Sequence, residues 1–378
     1  MANGIKIGEV DSTSAIIWVR LTKHPERNVS GMPFPKRKNP RDAKNRGEYV
    51  YDIEKMEAVV PGVEGQVRFT YWPAGSKKQK KSTAWQPVLQ DKDFTCQMKI
   101  GGLLPGMKYL IMAKGRCCQD SEVTCKVEGG FKTAPKADTP AKICFTVVTG
   151  QNYMNRDDSK NGHKIYPKML GLDPDFFVHT GDIEYYDKPG PYADNVELAR
   201  FKWNRMYAMP FQRAFHNKTA SYFIKDDHDT LKNDCWPGQS YGDLTWENGL
   251  AIFREQVPMG DKTYRTVRWG KDLQIWLIEG RDYRSPNPMP DGPEKTILGK
   301  EQKERLFRTV KESDATFRVL ISPTPIIGPD RGRKNDNHAN VGFSHEGNEL
   351  REFIASQENM YIVCGDRHWQ YVSVFSIS

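Results

Sequence analysis

The sequence predicts an α/β layered domain preceded by an all-β module. Three observations carry that expectation. From residue 143 onward, short apolar runs alternate with stretches of helical periodicity, the mark of strands joined by helices. Before residue 137 the apolar runs are short, separated by turn residues, and have no helical stretch between them, as in a small β-sandwich. Between the two lies Lys136-Ala137-Asp138-Thr139-Pro140-Ala141-Lys142, small, polar and proline-containing, which reads as a linker. The expected domains are therefore 1–136 and 137–378.

Length and composition agree. A chain of 378 residues accommodates about two domains. Hydrophobic residues make up 38% and charged residues 28%, with nine tryptophans, the balance of a soluble globular chain. No apolar run reaches the ~18 residues of a membrane span, and the first residues lack the apolar core of a signal peptide. The net charge of +8 fits either a solvated basic surface or attraction for anions. Its early clusters, at 36–46 and in Lys77-Lys78-Gln79-Lys80-Lys81, lack the interleaved aromatics that single-strand binding needs. No nucleic-acid partner is expected. The seven cysteines include no CxxC pair. Cys117 or Cys118 could bridge to Cys125 in an oxidising compartment, while Cys144 and Cys364 read as buried thiols.

In the first module, 5–8, 15–21, 67–72 and 94–98 are strand-like. A polar, proline-bearing insertion at 22–64 interrupts them, readable as an ordered or a mobile loop. Leu103-Leu104-Pro105-Gly106-Met107-Lys108-Tyr109 resembles a fibronectin type III corner, and 129–135 resembles the closing strand of such a module. In the second part, strands are expected at 143–149, 176–178, 222–224, 273–278, 317–321 and 360–363. Helices are expected at 163–170, 196–207, 246–257, 300–311 and 350–355. Polar or glycine-rich residues follow each strand, and ligands in open α/β sheets bind beyond the carboxyl ends of strands.

Three strand ends carry metal-binding chemistry. Phe176-Phe177-Val178-His179 runs into Thr180-Gly181-Asp182, with Tyr185 three residues on. The strand at 222 runs into Lys225-Asp226-Asp227-His228-Asp229, and that at 360 into Gly365-Asp366-Arg367-His368. Each motif alone also fits a turn or a capped helix start. Together they point to a shared centre for two or more metal ions, because hard cations need oxygen ligands and a carboxylate can bridge two of them. Asp182 is the expected bridge. Tyr185 as a phenolate would need a strong Lewis acid, since free tyrosine titrates near ~10. Asp227 and Asp366 add anionic oxygens, and His368 adds an imidazole. His228 is placed to protonate a leaving alkoxide, and Arg367 to hold a phosphate oxygen or pair with a carboxylate. Lys225 and Asn233 flank the middle motif as candidates to bind substrate or to orient Asp227. Arg281, in Arg281-Asp282-Tyr283-Arg284, fits substrate binding or a structural ion pair. His338, in the polar loop 335–340, fits a loop that closes over the site or a solvated one.

These motifs, with Asn233 and Trp369, resemble those of the alkaline phosphatase D (PhoD-like) family of calcineurin-like metallophosphoesterases. The resemblance extends over most of the chain and implies the α/β/β/α sandwich of those enzymes behind a fibronectin type III-like domain. It implies a phosphomonoesterase or phosphodiesterase acting on a small anionic phosphate ester, in a periplasmic or secreted protein. It also implies iron and calcium, with zinc, manganese or magnesium as other occupants. Carried over by position, Asp182 would bridge metals, Tyr185 would bind iron, and Asp227, Asp366 and His368 would complete the centre. The chain departs from the family at Thr149-Gly150-Gln151, where Ser-Cys-Gln is typical and the cysteine binds iron. Asn152 is then the candidate ligand at that end. The carboxyl end, close behind His368, is earlier than the family's, which fits either a truncated chain or an unusually short form. Alternatives are hydrolysis of another anionic ester, such as a sulfated or phosphorylated glycan, and a binding homologue with little turnover.

Overall fold

The computed structural model describes residues 1–34, 52–119, 121–331, 334–367 and 369–374. The basic cluster at 36–46 and His368 lie outside them. The first part folds into β1 (Ile5–Gly8), β2 (Ala15–Arg20), β3 (Gly65–Pro73), β4 (Lys81–Ser82), β5 (Gln86–Val88), β6 (Thr95–Ile100), β7 (Lys108–Arg116) and β8 (Cys125–Lys132). Then come β9 (Phe145–Val148), α1 (Ile165–Leu170), β10 (Phe176–His179), α2 (Val196–Tyr207), α3 (Pro210–His216) and β11 (Ala220–Phe223). A two-strand hairpin, β12 (Ser240–Tyr241) and β13 (Leu244–Thr245), leads to α4 (Trp246–Gln256), β14 (Arg265–Trp269) and β15 (Leu273–Leu277). The chain closes with α5 (Lys300–Lys311), β16 (Phe317–Ser322), α6 (Ser344–Ala355) and β17 (Met360–Cys364).

Burial on alternate faces of these strands builds the layers. In β10, Phe176 and Val178 enter one core while Phe177 packs on α1 and α3 through Tyr166, Met169 and Phe215. In β15 and β16, Ile275, Leu277, Val319 and Ile321 enter the same core as Phe176, whereas Trp276 and Leu320 meet α5 and α6. Two sheets thus face one another with helices outside both. Each fully buried phenylalanine contributes roughly 2–3 kcal/mol to this packing. The second sheet runs β14-β15-β16-β17, with β15, β16 and β17 parallel.

The first sheet crosses the expected boundary at 136. Its order is β6-β2-β1-β11-β10-β9, and β1 pairs in parallel with β11 through Ile7 and Ala220. The remaining early strands form a separate sheet, β4-β3-β7-β8, with β5 paired to β3. Cores and sheets are therefore continuous from the β module into the α/β layers. The described part of the 22–64 insertion is tied down: Arg27 donates to Tyr153 Oη at 2.8 Å, and Thr22 bridges to Gly62. The seven cysteines are free thiols. Cys144 and Cys364, expected to be buried, are half-buried, since the strands beside them, β9 and β17, lie at sheet edges. Helix α6 starts six residues before its expected start (344 against 350); Gly347 and Asn348 are poor helix formers that hide it. Among the described residues, no helix is long and apolar enough to cross a membrane.

Asp93 ties the β module to the helices. Its carboxylate accepts from Arg20 Nη2 at 2.9 Å, Asn204 Nδ2 at 2.8 Å and Gln256 Nε2 at 2.7 Å. Asp93→Asn keeps the shape but leaves the buried Arg20 without a counter-charge. The expected loss is about 3 kcal/mol, read as a lower urea midpoint. An unchanged midpoint would show that this joint contributes nothing.

Candidate metal centre

The carboxyl ends of β10, β11 and β17 converge where the two sheets meet. Close approach explains the glycines. A Cβ on Gly365 would lie 2.5 Å from Thr180 Oγ1 and 2.6 Å from the Pro323 carbonyl; one on Gly181 would lie 2.6 Å from Asp226 Cβ. Each glycine hands its successor a left-handed backbone, with φ of 57° at Asp182 and 60° at Asp366. Aspartate tolerates that conformation better than most residues. The same turn therefore aims two carboxylates from opposite sheets at one point.

Ligand atoms of Asp182, Asp227 and His228 lie within 4.8 Å of one another, as do those of Asp182, Asp226 and Asp366. A third group joins Asp227, Asp234 and Asp336. Tyr185 donates its hydroxyl to Asp182 Oδ2 at 3.1 Å, while the buried Asp182 Oδ1 and Asp226 Oδ2 meet no donor. Asp229 braces the loops by accepting from the N–H groups of Glu184 at 2.7 Å and Asp226 at 3.0 Å.

The electrostatics follow from crowding. Burial, then the charge of Asp227, pushes Asp182 well above the ordinary carboxylate range. Burial also raises Asp226, against the pull of Arg281, and raises Asp366 to about 6. Asp227 goes the other way: burial opposes its charge, but Arg281, His228 and the Asp234 N–H outweigh that and lower it. Burial likewise works against the imidazolium of His228, yet Asp227 and a 2.6 Å contact to Asp187 raise it to about 9. Burial and Asp182 keep Tyr185 a phenol, well above its usual range. Raised, donor-less carboxylates are a site short of positive charge, and a bound cation would reverse the shift. Asp182, Asp226, Asp227, Asp366 and Tyr185 therefore fit hard cations, which take oxygen ligands.

Other expected site residues are committed elsewhere. Lys225 is buried, held by Glu279 at 2.7 Å and Asp282 at 2.5 Å, so its ammonium is neutralised inside the protein. Arg281, fully buried, contacts Asp226 at 2.6 Å, Asp336 at 3.5 Å and Asp227 at 3.8 Å. It balances the acids from within. His338 gives Nε2 to Glu346 at 2.9 Å, both buried. Asn152 caps a turn, accepting from the Met154 N–H at 2.9 Å. Asn233 is exposed and donates its backbone N–H to Asp187 at 2.9 Å. Arg367 lies 2.6 Å from Asp330, its guanidinium 4.4 Å from the Trp369 ring centre. Sequence reasoning missed Asp187, Asp234 and Lys334, whose ammonium reaches Asp234 at 2.6 Å and Asp336 at 3.3 Å. Neither Asp187 nor Lys334 directly follows a strand or a glycine that would mark it. Loop 335–340 does reach the site, through Asp336 and not through His338.

The family profile of PhoD-like phosphatases matches residues 145–377. The chain belongs to the PhoD-like phosphatase family. Alkaline phosphatase D of Bacillus subtilis (strain 168) is 22% identical over 425 residues, a match covering 98% of this chain and 64% of that protein. The chain thus spans just under two thirds of that relative's length. A solved structure of PhoD superposes with a TM-score of 0.72 at 18% identity, over 97% of this chain and 72% of the other. Purple acid phosphatase from yellow lupin superposes at 0.60 and 12% identity, over 96% and 58%. Both likenesses are of fold. Within this PhoD-like phosphatase fold, Gly150 faces the centre: a Cβ there would lie 3.4 Å from Tyr185 Oη and 4.0 Å from Asp182 Cβ. The position where the resemblance implies a cysteine thus offers no side-chain ligand, and the side-chain donors near it are oxygens.

The pair of His338 and Glu346 makes a pH prediction. Burial opposes the charge of Glu346, but His338, Thr296 and the Ile297 N–H prevail and lower it from 4.5 to about 2. A depressed carboxyl contributes stability above its unfolded value and loses it as pH falls from about 4.5 to about 2. The contribution is on the order of 3 kcal/mol. Glu346→Gln should flatten that part of the stability–pH curve, measured by urea unfolding at stepped pH. An unaltered acid limb would rule the pair out as its source.

Proposed function

We propose that the chain is a metal-dependent phosphoric ester hydrolase centred on Asp182, Tyr185, Asp227 and Asp366. The observation that carries this reading is the meeting of three strand ends, two from one sheet and one from the other, which leaves buried carboxylate oxygens without donors. Membership of the PhoD-like phosphatase family supports it. Cations held there would polarise the phosphoryl oxygen and lower the pKa of a water. The oxygen donors favour calcium, magnesium or manganese, and Tyr185 is the feature that favours iron.

The chain's own residues handle substrate and proton. With Nδ1 held by Asp187, His228 keeps its proton-bearing Nε2 for the leaving oxygen. The Tyr185 ring, centred 4.5 Å from the imidazole, fixes its plane. Arg331, 3.3 Å from Asp366, provides planar donors for phosphate oxygens, and Arg367, although paired with Asp330, keeps Nε and Nη2 without acceptors for the same use. Lys225 and Arg281 act as positioning residues. The preferred substrate is a small phosphate mono- or diester. Location outside the cytoplasm rests on the family resemblance. The β module is read as fibronectin type III-like: β6-β2-β1 and β4-β3-β7-β8 supply two facing sheets, and Tyr109 Oη accepts from the Leu104 N–H at 2.9 Å, as in a tyrosine corner.

Asp182→Ala should lose bound metal and lower kcat/KM by more than about 100-fold, beyond the usual effect of an outer-shell partner. Metal analysis with p-nitrophenyl phosphate and bis(p-nitrophenyl) phosphate reads both. If the variant keeps metal and turnover, the centre is misassigned. His228→Gln should keep its metal yet slow turnover by roughly 10²-fold or more, most for esters with poor leaving groups. An equal loss on alkyl and nitrophenyl esters would remove the proton-donor role.

A further inference from the structure

The outer face of the β3-β7-β8 sheet carries a charge pattern that the metal centre does not use. Its inner positions, Val67, Phe69, Tyr109, Ile111, Ala113 and Phe131, are core. On the outside, Arg68 pairs across to Lys114, and Lys114 to Lys126. Three cations stand abreast on three neighbouring strands. Arg116 follows beside Gln66, and Lys108 stands opposite Lys132 at the other end. Glu128 is the one acid at the outward positions of these strands. Among the described residues, Lys132 alone of these cations has an ion-pair partner, Asp175 at 2.6 Å.

Like charges directly opposite one another destabilise a sheet, so this row costs stability. Two further features show a surface prepared for anions. Trp85 lies against both guanidinium groups, with centroid distances of 4.8 Å to Arg68 and 4.2 Å to Arg116, which restrains their forks. Arg68 Nε is buried and meets no acceptor.

We propose that this face binds a linear anionic polysaccharide, one bearing sulfate or carboxylate groups along its length. Neighbouring strands stand about 4.8 Å apart, close to the length of one sugar unit, so a chain crossing the strands meets Arg68, Lys114 and Lys126 in succession. Restrained guanidinium forks suit planar or bidentate oxyanions. Single-stranded nucleic acid stacks on free aromatic faces, and the arginines already engage Trp85. A duplex needs an element that enters a groove, which a flat sheet face lacks. A membrane surface needs apolar anchors besides charge, and Leu110, 37% exposed, is the exposed large apolar side chain among these outward positions. The proposal stands independently of the hydrolase reading.

The test uses dextran sulfate as probe, with neutral dextran, phosphatidylserine vesicles and single-stranded DNA as comparisons, at two salt concentrations. The full chain should bind dextran sulfate and not dextran, more weakly at higher salt. Lys114→Glu with Lys126→Glu should weaken binding at least about tenfold, with ester hydrolysis unchanged. Lys164→Glu with Lys168→Glu, on and beside α1, makes the same charge change elsewhere and should alter binding less than about twofold. Lys126→Glu alone should raise Tm, since it sets an opposite charge abreast of Lys114, and should still weaken binding, so that in this variant weaker binding is not loss of fold. Equal weakening by the two double variants would reduce the effect to net charge and overturn the proposal. Tighter binding to vesicles or DNA than to dextran sulfate at the same salt would overturn it too.

Discussion

Burying several carboxylates at one point is the constraint around which this structure is built. Asp182, Asp226, Asp227, Asp336 and Asp366 are all buried, and close like charges in a dry site repel strongly. Lys334 and Arg331 reach Asp336 and Asp366, each at 3.3 Å, from partly exposed positions, and among the described residues the fully buried cation in contact with the acids is Arg281, which touches Asp226, Asp227 and Asp336. It lowers Asp227 but does not rescue Asp182 or Asp226, whose free oxygens stay protonation-prone. A permanent cation on one side and unmet oxygens on the other divide the cluster into a braced half and a receptive half. Removing Arg281 would leave buried charge uncompensated, which is among the costliest single changes a fold can suffer.

The receptive half depends on backbone geometry. Gly365 stands where the two sheets approach too closely for a Cβ, Gly181 where the turn after the neighbouring strand β11 does, and both following aspartates adopt positive φ. That strain, on the order of 1 kcal/mol per residue, is held by hydrogen bonds from the adjoining turns. The Gly150 N–H donates to the Gly181 carbonyl at 3.1 Å and the Gln151 N–H to the Asp182 carbonyl at 2.8 Å. Asp229 adds a carboxylate bridge between the two loops.

Most of this is legible in the sequence where a buried strand leads directly into the chemistry. Apolar periodicity locates β10, β11 and β17, and the acids that follow are read in place. The roles of Lys225, Arg281 and His338 are not legible, because a basic residue after a strand looks the same whether it faces substrate or an internal acid. Glu279, Asp226 and Glu346 decide those roles, and they come from other elements. Asp187 and Lys334 leave no signal because loops fold them back into the site. The pairing of β1 with β11 joins residues more than 200 positions apart, which no local pattern marks; Ile7 beside Ala220 is an example.

That pairing changes what the β module does. Strand β11 delivers Asp226, Asp227 and His228, and its neighbour on one side is β1, with β2 and β6 beyond. Tyr222, at the heart of β11, hydrogen-bonds the Val10 carbonyl and the Trp269 indole, and Arg265 joins Glu9 at 2.6 Å while donating to the Phe223 carbonyl at 2.9 Å. The strand that carries the middle motif is therefore clamped by the β module within its own sheet and by side chains of β14 from the facing sheet. A module joined only by a linker could move independently of the centre. One that extends the same sheet cannot, because shifting β1 would break the ladder that sets the height of Asp227 above the sheet edge. The β module thus belongs to the scaffold of the metal centre, and the outer sheet face of that module is held in fixed orientation to it.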